Sequence, residues 1–170
     1  PIGYNYDSVG NRLTKTVGST TDTYSYGTND NHLMSIAGGT TRSLTYDAGG
    51  NVTYDNRAGQ GYGYSYNAAG RMESFSIDGV VQAEYVYNAD GQQVIRRLTQ
   101  TGEVIHNIFD LDGNRIAEYL YDAGTGTSTL IREYIWMDGR AVGVVEGGQI
   151  FYIRTDHIGR PVFATNDLGL

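Results

Sequence analysis

An aromatic residue, then Asp or Asn, then any two residues, then Gly recurs along this chain. The copies are Tyr6-Asp7-Ser8-Val9-Gly10, Tyr46-Asp47-Ala48-Gly49-Gly50, Tyr66-Asn67-Ala68-Ala69-Gly70, Tyr87-Asn88-Ala89-Asp90-Gly91 and Phe109-Asp110-Leu111-Asp112-Gly113. A degenerate copy, Tyr26-Gly27-Thr28-Asn29-Asp30, places the leading aromatics at 6, 26, 46, 66, 87 and 109, a period of 20 to 22 residues. Looser copies follow at Trp136-Met137-Asp138-Gly139, Thr155-Asp156-His157-Ile158-Gly159 and Thr165-Asn166-Asp167-Leu168-Gly169. Self-similarity at such a period means stacked supersecondary units, each unable to bury its apolar face alone. The register divides the chain into regular repeats over 1–122 and more divergent ones over 123–170.

Ahead of each turn the sequence alternates, as in Tyr24-Ser25-Tyr26, Tyr62-Gly63-Tyr64-Ser65-Tyr66 and Tyr85-Val86-Tyr87. Period-two aromatics put every ring on one face of a β-strand. The Asp or Asn bonds its own backbone two residues on, and the Gly accepts positive φ, so the motif is a turn. A second strand follows it, as in Arg71–Ile77 and Arg115–Leu120, and is closed by Asp78-Gly79, Gly38-Gly39, Thr101-Gly102 or Gly147-Gly148, two-residue hairpin signals. The expected fold is all-β: antiparallel hairpins with a period of about 20 residues, about sixteen strands in all, in a spiralling curved sheet or part of a hollow β-shell.

Composition narrows the partners. The 170 residues carry 12 Lys+Arg against 19 Asp+Glu, a formal net charge of −7, which lacks the basic stripe that phosphate binding needs, so no nucleic acid is expected. No run approaches the roughly 18 apolar residues of a spanning helix, and no membrane insertion is expected. With no cysteine, disulfides and thiol chemistry are excluded. Of the aromatics, 15 are Tyr, whose hydroxyl tolerates a half-open interior. Arg12, Arg71, Arg115 and Arg140 recur just after turn glycines, where a guanidinium lies across Tyr rings or pairs with turn carboxylates as lateral cement.

The stretches Tyr6-Asp7-Ser8-Val9-Gly10-Asn11-Arg12-Leu13 and Tyr66-Asn67-Ala68-Ala69-Gly70-Arg71-Met72 resemble the repeated Tyr-Asp-x-x-Gly-Asn/Arg signature of the RHS or YD-repeat proteins. Tyr152-Ile153-Arg154-Thr155-Asp156-His157-Ile158-Gly159-Arg160-Pro161 is similar to the Asp-His-Leu-Gly-x-Pro motif of the RHS core-associated segment. The resemblance covers nearly the whole chain. It implies a secreted or cell-surface bacterial protein whose hairpins spiral into a hollow shell, often around a variable C-terminal toxic domain; the related teneurins use a similar shell in adhesion. The implied partners are flanking repeats and a C-terminal domain of the same polypeptide, with surface glycans or a secretion apparatus as further ones. Many relatives cut themselves by an aspartyl-protease-like reaction at Asp-Pro-x-Gly-Leu. Here Asn166-Asp167-Leu168-Gly169-Leu170 shares Gly-Leu but lacks the Asp-Pro, so cleavage site, plug and cargo are expected to lie beyond this stretch or to be absent.

The candidate chemistries resolve into structure. Asp7, Asp47 and Asp110 are accounted for by turns, leaving no carboxylate pair to share a proton. Asp110-Leu111-Asp112-Gly113-Asn114 suggests a calcium loop, but Tyr121 stands where the later Glu is required. His32, His106 and His157 lack metal-ligand spacing, and His157 is expected to bond a neighbouring turn. No cofactor, metal or catalytic residue is expected. The residues expected to matter are those of the motif, together with Asp156, His157, Gly159 and Pro161, and the expected function is structural. Two alternatives stand beside it: a carbohydrate-binding module stacking sugars on Tyr62 and Trp136, and part of a self-cleaving core. The first and last strands are expected to be open edges through which an isolated piece self-associates.

Overall fold

The computed structural model describes residues 1–169; Leu170, the second residue of the Gly-Leu pair noted above, lies outside the described residues. Two compact units make up the chain, Pro1–Ala83 and Glu84–Leu170. The first holds β1 (Ile2–Tyr6), β2 (Arg12–Val17), β3 (Thr20–Tyr26), β4 (Leu33–Ala37), β5 (Arg42–Tyr46), β6 (Val52–Arg57), β7 (Gln60–Tyr66) and β8 (Met72–Ile77). Strand β9 (Val80–Tyr87) runs from the first unit into the second, which continues with β10 (Gln93–Leu98), β11 (Glu103–Phe109), β12 (Arg115–Asp122), β13 (Thr127–Met137), β14 (Arg140–Glu146), β15 (Gln149–Thr155) and β16 (Pro161–Thr165). Strand order in the sheet is sequence order, the all-β antiparallel meander that the repeat predicts, with no helix among the described residues.

Each motif closes a hairpin in the same way. Asp47 Oδ1 accepts from the Gly49 and Asn51 amides, both at 2.9 Å, while Asn51 Nδ2 donates to Asp47 Oδ2 at 3.0 Å. Asp7 with Val9 and Asn11, and Asp110 with Asp112 and Asn114, repeat the pattern. Asn67 accepts from the Ala69 and Arg71 amides, and Asn88 from the Gln92 amide. Gly10, Gly50, Gly70, Gly91, Gly113 and Gly159 all have φ between 70° and 91°, a region closed to most side chains.

The register contains a feature that alternation alone does not foretell. Asn5 faces Thr14 but Tyr6 faces Arg12, so Leu13 is left over; the same slip leaves over Met34 opposite Tyr26, Thr53 opposite Tyr46, Glu73 opposite Tyr66 and Ile116 opposite Phe109. A β-bulge therefore sits beside each of these aromatics. One extra residue per repeat bends the outgoing strand, increases its twist and re-aims the aromatic.

Each unit is a single layer of sheet, so its buried interior is thin: Ile36, Leu44, Ala83, Ile105 and Ala117 are its buried apolar residues among those described. Tyr62, Tyr64 and Phe75 pack together on one face of the first unit, with ring centroids 5.6 and 6.2 Å apart. The opposite face there carries cross-strand hydroxyl pairs, Thr16–Thr21, Thr45–Thr53 and Ser65–Ser74, at 2.7 to 3.0 Å. In the second unit the corresponding face is mixed: Ile135 is in register with Gly143 and Gly143 with Tyr152, while Glu133 on the same face of β13 is in register with Ala117 and Val145.

Candidate functional site

The motif tyrosines do more than fill space. Tyr26 donates its hydroxyl to the Arg12 carbonyl at 3.0 Å, Tyr46 to Leu33 at 2.8 Å and Tyr66 to Val52 at 2.9 Å. Arg12, Leu33 and Val52 are the residues opposite Tyr6, Tyr26 and Tyr46 at the bulges. Each aromatic thus latches onto the carbonyl that faces the aromatic of the preceding repeat. Burial pushes the Tyr46 and Tyr66 hydroxyls above their ordinary value of 10.0, so both remain protonated donors.

Two substitutions in the second unit keep the latch. Phe109 has no hydroxyl, and Asn107, two residues earlier on the same face of β11, donates Nδ2 to the Gln93 carbonyl at 2.8 Å instead. Asn107 is buried accordingly. At the contracted copy, Trp136 Nε1 donates to the Arg115 carbonyl at 2.9 Å, and Arg115 is the residue opposite Phe109. The donor changes from hydroxyl to amide to indole while the acceptor keeps its place in the repeat.

Of the four arginines expected to lie across Tyr rings or pair with turn carboxylates, Arg12 and Arg115 lie across rings. The Arg12 guanidinium is 5.0 Å from the Tyr4 ring centroid and 5.5 Å from that of Tyr24, and Arg115 is 4.7 Å from that of Tyr134. Arg71 has its amide in the Asn67 turn. Arg140 lies over Gly159, where a Cβ would stand 3.5 Å from its Nε.

A carboxylate centre in each unit escaped the sequence reading. Asp55 on β6, 1% exposed, accepts Arg42 Nε and Nη2 at 2.7 and 2.6 Å and Arg57 Nε at 2.8 Å. Glu118 on β12, 4% exposed, lies 2.8 Å from Arg115 Nη1 and 3.5 Å from Arg132 Nε, and accepts the Tyr134 hydroxyl at 3.1 Å. Both tie neighbouring strands together, since Arg42 is on β5 and Arg132 on β13. The hydrogen bonds from Arg42, then those from Arg57, hold the Asp55 carboxyl below its ordinary value of 3.8 against the opposing effect of burial. An ionised carboxylate clasped by two guanidinia has no proton to share with a second acid. The available signal was an acid inside an alternating strand, Tyr54-Asp55-Asn56 and Ala117-Glu118-Tyr119, but its partners become neighbours only through the register.

The remaining expected residues are placed as follows. Asp156 accepts from the Ile158 and Arg160 amides and from Arg160 Nε at 3.1 Å, with Gly159 at φ 83°. His157 is exposed in that turn, and Pro161 opens β16 opposite Thr155. His32 stacks on Tyr46 at 4.4 Å between centroids and His106 on Tyr121 at 5.0 Å. The Tyr62 ring, named above as a sugar platform, lies under Arg57 at 4.7 Å and against Phe75. Among the described residues no three His, Cys, Asp or Glu side chains gather as a metal site.

The fold has solved counterparts. The crystal structure of TcdB2-TccC3-TEV matches with a TM-score of 0.61 at 15% identity, over 98% of this chain and 11% of that one. The Tc holotoxin pore of Photorhabdus luminescens matches at 0.59 and 14% identity, again over 98% and 11%. TcdB2-TccC3 matches at 0.54 and 14%, over 95% and 9%. The chain therefore spans about a tenth of the length of each of these chains, and at such identities the likeness concerns the fold. A search of curated proteins finds no match. The teneurin YD-shell family model matches residues 1–170, without a gap at either end of the repeat array, and the chain belongs to that family.

Proposed function

We infer that this chain is a stretch of wall in a larger hollow β-shell, structural rather than catalytic, in an exported bacterial protein that encloses or displays a C-terminal segment of its own polypeptide. The observation that carries this reading is the latch: each repeat offers a carbonyl to the next, so the sheet extends by repetition and its construction serves continuity. A sheet of this kind leaves a row of unpaired N–H and C=O groups at each outer strand, which flanking repeats would satisfy. The matched Tc toxin structures, in which the aligned stretch is 11% of a much longer chain, support the same reading. Each buried carboxylate is already engaged, Asp55 and Glu118 by arginine and Asp22 by the amide and hydroxyl of Thr40, which favours a wall over a self-cleaving centre. Tyr62 and Trp136, the rings a glycan would need, are engaged by Arg57 and by the Arg115 carbonyl.

The test is limited proteolysis of the protein encoded by the complete open reading frame. Enclosure predicts that the C-terminal segment resists protease in the intact protein and becomes sensitive when Tyr46→Phe, Tyr66→Phe and Asp55→Asn together weaken the wall. Equal sensitivity with and without those substitutions contradicts enclosure.

A further inference from the structure

We propose that Asp138-Gly139 is a site of spontaneous isoaspartate formation, selected by the fold from four chemically equivalent Asp-Gly steps. The chain contains Asp78-Gly79, Asp90-Gly91, Asp112-Gly113 and Asp138-Gly139. Glycine is the permissive neighbour at all four, because no Cβ obstructs attack of its nitrogen on the preceding side chain. Sequence alone therefore does not discriminate among them.

Hydrogen bonding does. At Asp78 the carboxylate is held, since Oδ1 accepts the Gly61 amide at 2.7 Å while the Asp78 amide donates to the Gly61 carbonyl at 2.7 Å. At Asp90 and Asp112 the attacking nitrogen is held, since the Gly91 amide donates to Asn88 at 3.0 Å and the Gly113 amide to Asp110 at 3.2 Å. At the fourth step neither is engaged: among the described residues the Asp138 carboxylate and the Gly139 amide make no hydrogen bond or ion pair. Asp138 is exposed, and with φ of 49° and 70° the two residues form the whole turn between Met137 and Arg140, which face each other across it. A recess lined by Met137, Asp138, Arg140 and Ile153 lets water reach it.

In the reaction the Gly139 nitrogen attacks Asp138 Cγ, the N–Cγ bond forms, the Cγ–OH bond breaks, and the amide proton leaves with the hydroxyl as water. The cyclic imide then takes up water. Cleavage of the N–Cγ bond restores aspartate, and cleavage of the bond from the nitrogen to the former backbone carbonyl leaves the chain running through the side chain. No oxidant or cofactor is needed. The product carries one more backbone carbon in a two-residue turn, separated only by Met137 from Trp136, whose indole holds the Arg115 carbonyl.

The experiment is prolonged incubation of the folded chain, followed by peptide mapping that separates isoaspartyl from aspartyl peptides, with a parallel sample in urea. Isoaspartate at 138 should exceed that at 90 or 112 about three- to tenfold, the factor corresponding to one retained hydrogen bond, and the excess should vanish in urea. Asp138→Asn should react faster there by loss of ammonia. Asp138→Gly, which keeps a turn like Gly147-Gly148, should abolish the product and the accompanying change in emission of Trp136, the one tryptophan. Equal modification of all four sites in the folded chain, a maximum at 78, 90 or 112, or modification at 138 only in urea would overturn the proposal.

Discussion

Tyr46 and Leu33 lie 13 positions apart, and the hydroxyl of the first donates to the carbonyl of the second at 2.8 Å. Leu33 also faces Tyr26 across the bulge of the preceding repeat, so one residue serves the aromatics of two consecutive repeats. Removing the hydroxyl leaves that carbonyl unsatisfied while preserving the ring. Tyr46→Phe and Tyr66→Phe are each expected to cost about 1 kcal/mol, measured by denaturant unfolding with unchanged slope.

The second unit supplies the reciprocal experiment. Asn107→Ala should destabilise by about 1–2 kcal/mol, because it strips the Gln93 carbonyl of its donor and leaves a small void. Adding Phe109→Tyr in that background should recover part of the loss, whereas Phe109→Tyr alone should gain nothing while Asn107 holds the acceptor. A double-mutant cycle measures the difference.

Acid sensitivity follows from Asp55. Its folded-state carboxyl titrates below 3.8, so its stabilising contribution is fully present above that value and is lost as pH falls through the folded value. Asp55→Asn should therefore flatten the acid limb of the stability profile below about pH 4 and cost about 2–3 kcal/mol at neutral pH. That range is below the usual figure for a broken buried pair because Arg42 and Arg57, 32% and 52% exposed, regain water once freed.

Two glycines with positive φ separate backbone strain from steric collision. At Gly79, φ 80° and open space, alanine should cost about 1 kcal/mol from conformation alone. At Gly38, φ 139°, a Cβ would also run into the Thr21 carbonyl oxygen, a backbone atom that cannot swing aside. Gly38→Ala should cost at least about twice as much, read as the difference in Tm between the two variants.

Much of this architecture was legible because the repeat writes strand period, turn chemistry and hairpin tips into local sequence. The carboxylate of Asp47, for example, needs only residues within four positions. The bulges were not legible: Leu13 and Ile116 continue the alternation in composition, and only the pairing reveals that they have no opposite number. The Tyr latch was half legible, since the aromatic column is visible but its acceptor is a backbone carbonyl with no sequence signature. The Asp55 and Glu118 centres were hidden for a different reason: each acid meets at least one arginine from another strand, and register decides which.

A continuous wall leaves no free strand edge at β1 or β16. Electron cryomicroscopy of the protein from the complete open reading frame tests it most directly. The expected density shows β1 and β16 each hydrogen-bonded to a further strand outside residues 1–169, with the bulge and Tyr latch repeating across both junctions and the wall closing around a volume. Density in which β1 and β16 end as free edges on a separate, solvent-surrounded sheet would contradict it.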